Sequence, residues 1–353
     1  MTTRLIRRLT VAAAMVATVG SAFAADSITR KSGPRLAGAI TGTTKTELTI
    51  KPSVGDPVAV PANEIAVIDW DDATADLKLG VSDENGGRLD SALTRVRKSK
   101  ADSQTSNDAL KKEFEFIEAR ITARMAKADP SKVDEAIAAL EKFRKSGAEH
   151  FRFYESLRYL GEVQVVKGDY AAARQSFESL SQAPWNDVKL SGQVALGRIL
   201  MAEGNADEAV RMFDAAIAAA GNSTGEQARK YDAMLGKARA LAAQSKHEEA
   251  LKTLDEVTMK APATETALQA EAYVLQGNSL QALNRNKEAV LAYLHVDLLF
   301  PRETAYHAES LFHMAKLWKT VQSPERGDAA EDKLIASYPK SDWAKKLSGS
   351  APQ

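Results

Sequence analysis

Two hydrophobic periods divide the chain. Between Ser27 and about Trp70, apolar and β-branched residues come in short runs separated by turn formers. From Ala73 onward apolar residues recur instead at three- and four-residue spacing, the period of an amphipathic helix. The first stretch predicts strands at Leu36 to Ile40, Glu47 to Lys51, Pro57 to Val60 and Ile65 to Asp69, with a fifth if Ile28 to Lys31 pairs. Thr41-Gly42-Thr43, Ser53-Val54-Gly55-Asp56 and Pro61-Ala62-Asn63 supply the turns. The second stretch predicts helices throughout, with a polar loop from Lys98 to Asn107 and a frayed tail from Ser348 to Gln353.

The helical part repeats itself. One unit reads Leu157, Leu160-Gly161, Gly168-Asp169-Tyr170, Ala173, Phe177 and Pro184. The next offers Leu196-Gly197, Gly204, Ala209 and Phe213. Further units carry Ala238, Ala250, Leu254 and Pro262, then Tyr273, Gly277, Ala289, Tyr293 and Pro301, then Leu311, Ala315, Ala330, Leu334 and Pro339. Upstream, Asn107 to Ser146 fits with Ala136, Leu140 and Phe143, and Leu79-Gly80, Ala92 and Val96 make a degenerate unit. The marker alanines 136, 173, 209, 250, 289 and 330 recur at spacings of 37, 36, 41, 39 and 41 residues. A small residue in one helix lets its hairpin partner approach closely, and a large one fills the space between neighbours. Gly168 and Gly204 are placed to end a helix in the left-handed conformation, and the prolines to stop the second helix of a unit.

This pattern resembles the tetratricopeptide repeat (TPR), here with units longer than the usual 34 residues. The resemblance covers about Asn107 to Lys346. It implies a mainly α fold, a TPR-type solenoid of about six helical hairpins. The β module ahead of it is similar to the Sm-like or SH3-like barrels that precede helical domains in some bacterial envelope proteins. That likeness rests on strand spacing and the ending Pro61-Ala62-Asn63-Glu64-Ile65. The expected organisation is a signal peptide over 1–24, the β module over 25–72, a degenerate helical unit and loop over 73–106, the solenoid over 107–347 and a disordered tail over 348–353.

Composition narrows the function. Arg4, Arg7 and Arg8 precede the apolar run Leu9 to Val19, and Ala22-Phe23-Ala24 presents small residues where a signal peptidase reads. The expectation is an exported chain beginning at Ala25, periplasmic or otherwise extracytoplasmic. Arg7-Arg8 leaves twin-arginine export open beside the general route. No later segment is long and apolar enough to cross a membrane. With 47 basic and 47 acidic residues the chain is neutral, and without the three arginines of 1–24 it carries −3. That balance speaks against general nucleic-acid binding. There is no cysteine, so disulfides, thiolate metal sites and cysteine nucleophiles are excluded together.

Candidate chemistry is sparse. Gly221-Asn222-Ser223-Thr224-Gly225 matches the nucleophile-elbow pattern but follows a helix rather than a strand, so a hydrolase using Ser223 is the least favoured reading. The five histidines (150, 247, 295, 307, 313) show no metal-binding spacing, and Asp69, Asp71, Asp72 and Asp76 lack the glycine and closing Glu of a calcium loop. They read as a helix N-cap with solvated acids. No metal and no cofactor is expected.

What remains is a binding surface. The TPR resemblance implies that the first helix of each unit lines the concave face. Its second position carries Glu118, Glu155, Ser191, Asp232, Glu271 and Glu309, and its ninth carries Met125, Glu162, Arg198, Arg239, Asn278 and Lys316. An acidic row thus faces a basic one, Arg198, Arg239 and Lys316, which could receive the carboxylates of a partner protein or peptide. The competing reading is that each cation pairs with a Glu of a neighbouring repeat. The function implied is a non-enzymatic scaffold or adaptor of the cell envelope. The alternative is a self-associating structural protein whose β module docks into another copy's groove.

Overall fold

The computed structural model describes residues 25–349; the signal-peptide expectation and the last residues of the expected tail lie outside them. Five strands come first: β1 Asp26–Arg30, β2 Leu36–Thr43, β3 Glu47–Lys51, β4 Val58–Pro61 and β5 Ile65–Asp69. All pairings are antiparallel, and β5 returns to pair with β1, giving the order β4-β3-β2-β1-β5. Alternation explains the sheet's inner face: Ile28, Leu48, Ile50, Val60 and Ile65 are buried. Pro61 is tolerated because it ends β4, an outer strand.

Seven helical hairpins follow among the described residues. They pair α1 Ala75–Asn85 with α2 Leu89–Asp102, α3 Asp108–Ala126 with α4 Val133–Ser146, and α5 Phe153–Lys167 with α6 Tyr170–Leu180. Next come α7 Asn186–Ala202 with α8 Ala206–Ala219, α9 Thr224–Ala243 with α10 His247–Lys260, and α11 Thr266–Ala282 with α12 Asn286–Leu299. The last pair is α13 Thr304–Thr320 with α14 Pro324–Ser337, closed by the short α15 Asp342–Leu347. Each helix packs on the next, and the first helices of adjacent hairpins also touch, so the array is a stacked solenoid.

The steric rule is visible in distances. A Cβ built on Gly161 would lie 2.6 Å from the ring of Phe177, and one on Gly277 2.5 Å from Tyr293. The ring of Phe213 sits between Gly197 and Gly236, whose Cβ atoms would stand 2.6 and 2.5 Å away. The same pairing recurs in the first hairpin, where a Cβ on Gly80 would be 2.8 Å from Val96. Gly168 and Gly204 have φ of 82° and 81°, as the turn after a first helix requires; Ser245, Asn284 and Gln322 hold the same turn at 60°, 59° and 64°.

Three expectations need correction. Thr41-Gly42-Thr43, expected as a turn, is the end of β2, where Gly42 and Thr43 pair with Thr49 and Leu48 across a bulge. The stretch Lys98 to Asn107 is not all loop, because α2 runs to Asp102 and only the residues after it are irregular. Its polar residues are held in the fold: Ser99 is fully buried and accepts a 2.8 Å hydrogen bond from Thr74. Nor are the acids after β5 simply solvated. Asp69 pairs with Arg35 at 2.7 Å, Asp76 pairs with Lys98 at 2.6 Å and Arg95 at 3.1 Å, and Asp72 accepts from Thr105 at 2.8 Å. They clamp α1 to α2 and to the sheet.

The β module shares its core with the helices. Ile28, Leu48, Ile50 and Val60 belong to one buried cluster with Leu77, Val96, Leu110, Phe114, Phe116, Phe143 and Phe151. Sheet and first hairpins therefore exclude water from the same apolar surface.

Candidate functional site

A cavity of about 810 Å³ opens on the side lined by the first helices of the hairpins. One wall is built from α3, α5, α7 and α9; the other is the corner of the β module around Ala62, Asn63 and Ala66. The module is pinned there by two long-range bonds. Asn63 Nδ2 donates to Asp187 Oδ1 at 3.1 Å, and the Phe151 backbone N–H donates to Thr43 Oγ1 at 3.3 Å. The β module thus docks on the solenoid of its own chain.

Of the sequence-predicted positions, Glu155, Asp232 and Arg198 line this cavity, together with Ser191 and Glu162. Arg198 is exposed and has no hydrogen-bond or ion-pair partner among the described residues. Asp232 is held by Arg229 at 2.8 Å. Glu155 lies 2.9 Å from Arg152. Burial alone would raise its carboxyl, but the Arg152 and Arg120 guanidiniums prevail and hold it below the usual carboxylate range.

The other predicted residues fall farther along the array. Arg239 pairs with Glu271 of the next hairpin at 3.0 Å, and Tyr306 donates to the second oxygen of Glu271 at 2.7 Å. Glu309 accepts from Asn278 Nδ2 at 3.3 Å, and burial pushes its carboxyl up. Lys316 stands over the Phe312 ring, 4.1 Å from its centroid. Glu118 is 3.3 Å from Lys100. Arg239 therefore follows the competing reading of a pair between neighbouring repeats, and Arg198 does not.

Sequence reasoning missed the buried ionic wall beside the cavity. Glu84, 2% exposed, binds Arg120 at 2.6 Å and Arg124 at 3.1 Å, joining α1 to α3. Glu113, also 2% exposed, binds Arg152 at 2.9 Å. In the sequence these look like ordinary solvated charges on helix faces; their only signal is that arginines crowd into α3 and the start of α5. Of this wall Arg120 and Arg152 line the cavity, among seven cationic side chains and four carboxylates, while their partners Glu84 and Glu113 lie behind the lining.

Ser223 has a structural job. Its Oγ accepts from the Glu226 backbone N–H at 3.3 Å while Glu226 accepts from the Ser223 N–H at 3.2 Å, a capping box that starts α9. The histidines are likewise engaged separately. His307 bonds Asp297 and Tyr338, each at 2.7 Å, and His313 stacks on Tyr293. No group of three or more potential metal ligands occurs among the described residues. No described helix is long and apolar enough to cross a membrane.

A tetratricopeptide repeat family model matches residues 126–187 and 194–266. Among solved structures, the chain is similar to a tetratricopeptide repeat protein from Parabacteroides merdae, at 15% identity over 77% of this chain and 95% of that one, with a TM-score of 0.52. It is also similar to a Rap protein complexed with Competence and Sporulation Factor, at 16% identity over 77% of both chains and a TM-score of 0.52. The apo form of RapI gives 13% identity over 78% of both chains and a TM-score of 0.50. No curated protein matches the chain. At these identities the likeness is one of fold, a TPR-type helical solenoid, which in this chain follows a small five-stranded antiparallel sheet.

Proposed function

We propose that this protein is a scaffold of the cell envelope that holds a partner protein or peptide against the concave side of its solenoid. The observation that carries the reading is Arg198, an exposed guanidinium without a carboxylate partner in a cavity walled by four first helices and the β module. An arginine presented in this way matches a carboxylate of a partner in bidentate geometry. The polar rungs beyond it, Arg239 with Glu271 and Glu309 with Asn278, extend the surface toward Lys316. A fold neighbour complexed with Competence and Sporulation Factor is in keeping with a binding role for such a solenoid. Export follows from the reading of residues 1–24 as a signal peptide, and the β module is taken as Sm-like or SH3-like.

The test is crosslinked affinity capture from the native envelope, wild type beside a variant carrying Arg198→Glu and Arg239→Glu. A partner retained by the wild type and lost by the variant is the expected result. Equal capture by both proteins would sink the groove as the site. Self-association is the second reading, favoured by Leu291, Leu298 and Leu299, which leave an apolar stripe exposed on α12. A monomeric mass by light scattering across a wide concentration range would remove it.

A further inference from the structure

Strand β5 pairs with β1 on one side and is the outer strand of the sheet on the other. Its middle is open: Ala66 is exposed and Val67 is 42% exposed. An outer strand offers a row of backbone donors and acceptors to any extended segment that can reach it. Here the segment would have room. A second cavity of about 520 Å³ lies between β5 and helices α1 and α3, lined by Ala66, Val67, Ile68, Asp69 and Trp70. It meets the larger cavity at Ala66, Arg120 and Arg152, which line both.

Unpaired polar atoms mark both ends of this strand. Two residues before it, Asn63 lines the larger cavity and its Oδ1 is buried without a hydrogen-bond partner. One residue after it, Trp70 lines the smaller cavity; it is 7% exposed, and its indole N–H is buried without an acceptor. A buried polar atom left unpaired costs roughly 1–3 kcal/mol, and a ligand that displaces the groups covering these two would relieve that cost. An extended backbone does so, since it brings N–H groups to the Asn63 oxygen and carbonyls to the Trp70 nitrogen. The charge of the walls selects its sequence. Arg120 and Arg152, which line both cavities, are neutralised by Glu84, Glu113 and Glu155, but in the larger cavity Arg198 and Lys31 have no carboxylate partner among the described residues.

We propose that the free edge of β5 receives an extended, acidic segment of a partner protein as a sixth strand, with its carboxylates directed to Arg198 and Lys31. Beyond the bulge at Ala66, Val67–Asp69 pair regularly with β1, so the N–H and C=O groups of alternate residues in this run face the open edge. The proposal deepens the scaffold reading by naming the chemistry of the partner and the backbone that recognises it, and it rests on that reading only for the existence of a protein partner.

The experiment selects binders to the purified full-length protein from a phage-displayed library of random twelve-residue peptides. Expected are peptides rich in Asp, Glu and β-branched residues that slow amide exchange at those alternate residues of Val67–Asp69 whose N–H groups face away from β1. Removing one end contact, by Trp70→Phe or Asn63→Ala, should weaken them about tenfold. Selected peptides that leave β5 exchange unchanged, or a selection that yields no acidic binder, would overturn the proposal. Should a variant fail to fold, exchange in the wild-type complex still decides. If binding is lost with Arg198→Glu and Arg239→Glu while β5 exchange does not change, the concave groove stands and the strand site falls. If β5 is protected and binding survives Arg239→Glu, the strand site stands and the extended groove falls.

Discussion

Replacing Gly236 by alanine sets two physical effects against each other, and the structure says which one wins. Alanine is the better helix former by about 1 kcal/mol in a helix interior, so propensity alone makes Gly236→Ala stabilising. The new methyl, however, would lie 2.5 Å from two ring carbons of Phe213, whereas carbon atoms settle at about 3.5–4.0 Å. Phe213 is fully buried, and its ring also lies against the backbone of Gly197, where a Cβ would stand 2.6 Å away, so the ring has little room to retreat. Overpacking of this kind costs roughly 1–3 kcal/mol, which leaves a net loss of up to about 2 kcal/mol. Phe213→Leu alone opens a cavity and costs on the order of 1–2 kcal/mol. Together the two changes relieve each other, because the methyl enters space the ring has vacated. The double variant should lose less than the sum of the single losses by about 1 kcal/mol. Native-state hydrogen exchange at the amides of α8 and α9 is the fitting assay, since repeats of a solenoid feel mainly their neighbours. A stabilised Gly236→Ala protein, or strict additivity around the cycle, would refute the close-approach argument.

Burial, the largest influence, pushes the His150 imidazole down to about 4 against the partial opposition of Glu113, while Arg152 and Lys112 add to the downward push. Its folded pKa lies below the unfolded value near 6.5, so its contribution is complete above that value and is lost as pH falls toward 4. Urea midpoints should therefore show roughly 2 kcal/mol lost to His150 between about pH 7.5 and 5, with His313, also pushed down to about 4, acting in the same direction; equal stability at both values would contradict the burial argument. Gln322 holds the left-handed turn between α13 and α14 at φ 64°, where a side chain costs about 1–2 kcal/mol. Gln322→Gly should raise the melting temperature by an amount worth up to ~1 kcal/mol after the entropy of a freer unfolded chain, and an unchanged or lowered midpoint would mean that the turn carries no strain.

The repeat was legible because its logic is local. Gly161 with Phe177 and Gly277 with Tyr293 are contacts within one hairpin, and a fixed spacing along the chain suffices to reveal them. Gly168 and Gly204 were readable for the same reason, while Ser245 and Gln322 hid the same turn under residues that do not announce it, and Asn284 signals it more weakly than glycine. The strands were legible from alternation, which tells which residues share a face but not what covers that face. Nothing in the pattern of Ile28, Leu48 or Ile50 says that Phe114, Phe116 and Phe151 lie opposite. The buried pairs Glu84 with Arg120 and Glu113 with Arg152 were illegible for a related reason. A charged residue on an amphipathic helix looks solvated until the element that buries it is known.

Those buried pairs bear on how the binding side is held. Arg120 bridges α1 to α3 through Glu84, Arg152 bridges α3 to α5 through Glu113 and Glu155, and both guanidiniums line the two cavities beside β5. A buried ion pair is weak evidence for net stability, because desolvation offsets most of the attraction. Its clearer effect is on alternatives: if α1 or α3 slid by one turn, a carboxylate or a guanidinium would be left buried and unpaired, at a cost of several kcal/mol. The shared apolar core supplies the attraction between sheet and helices, an attraction that is itself non-directional. The ionic contacts and the bond from Asn63 to Asp187 supply the register. On this argument the β module is no tethered accessory. It is a wall of the site, fixed at the height where the open edge of β5 faces the concave side of the solenoid.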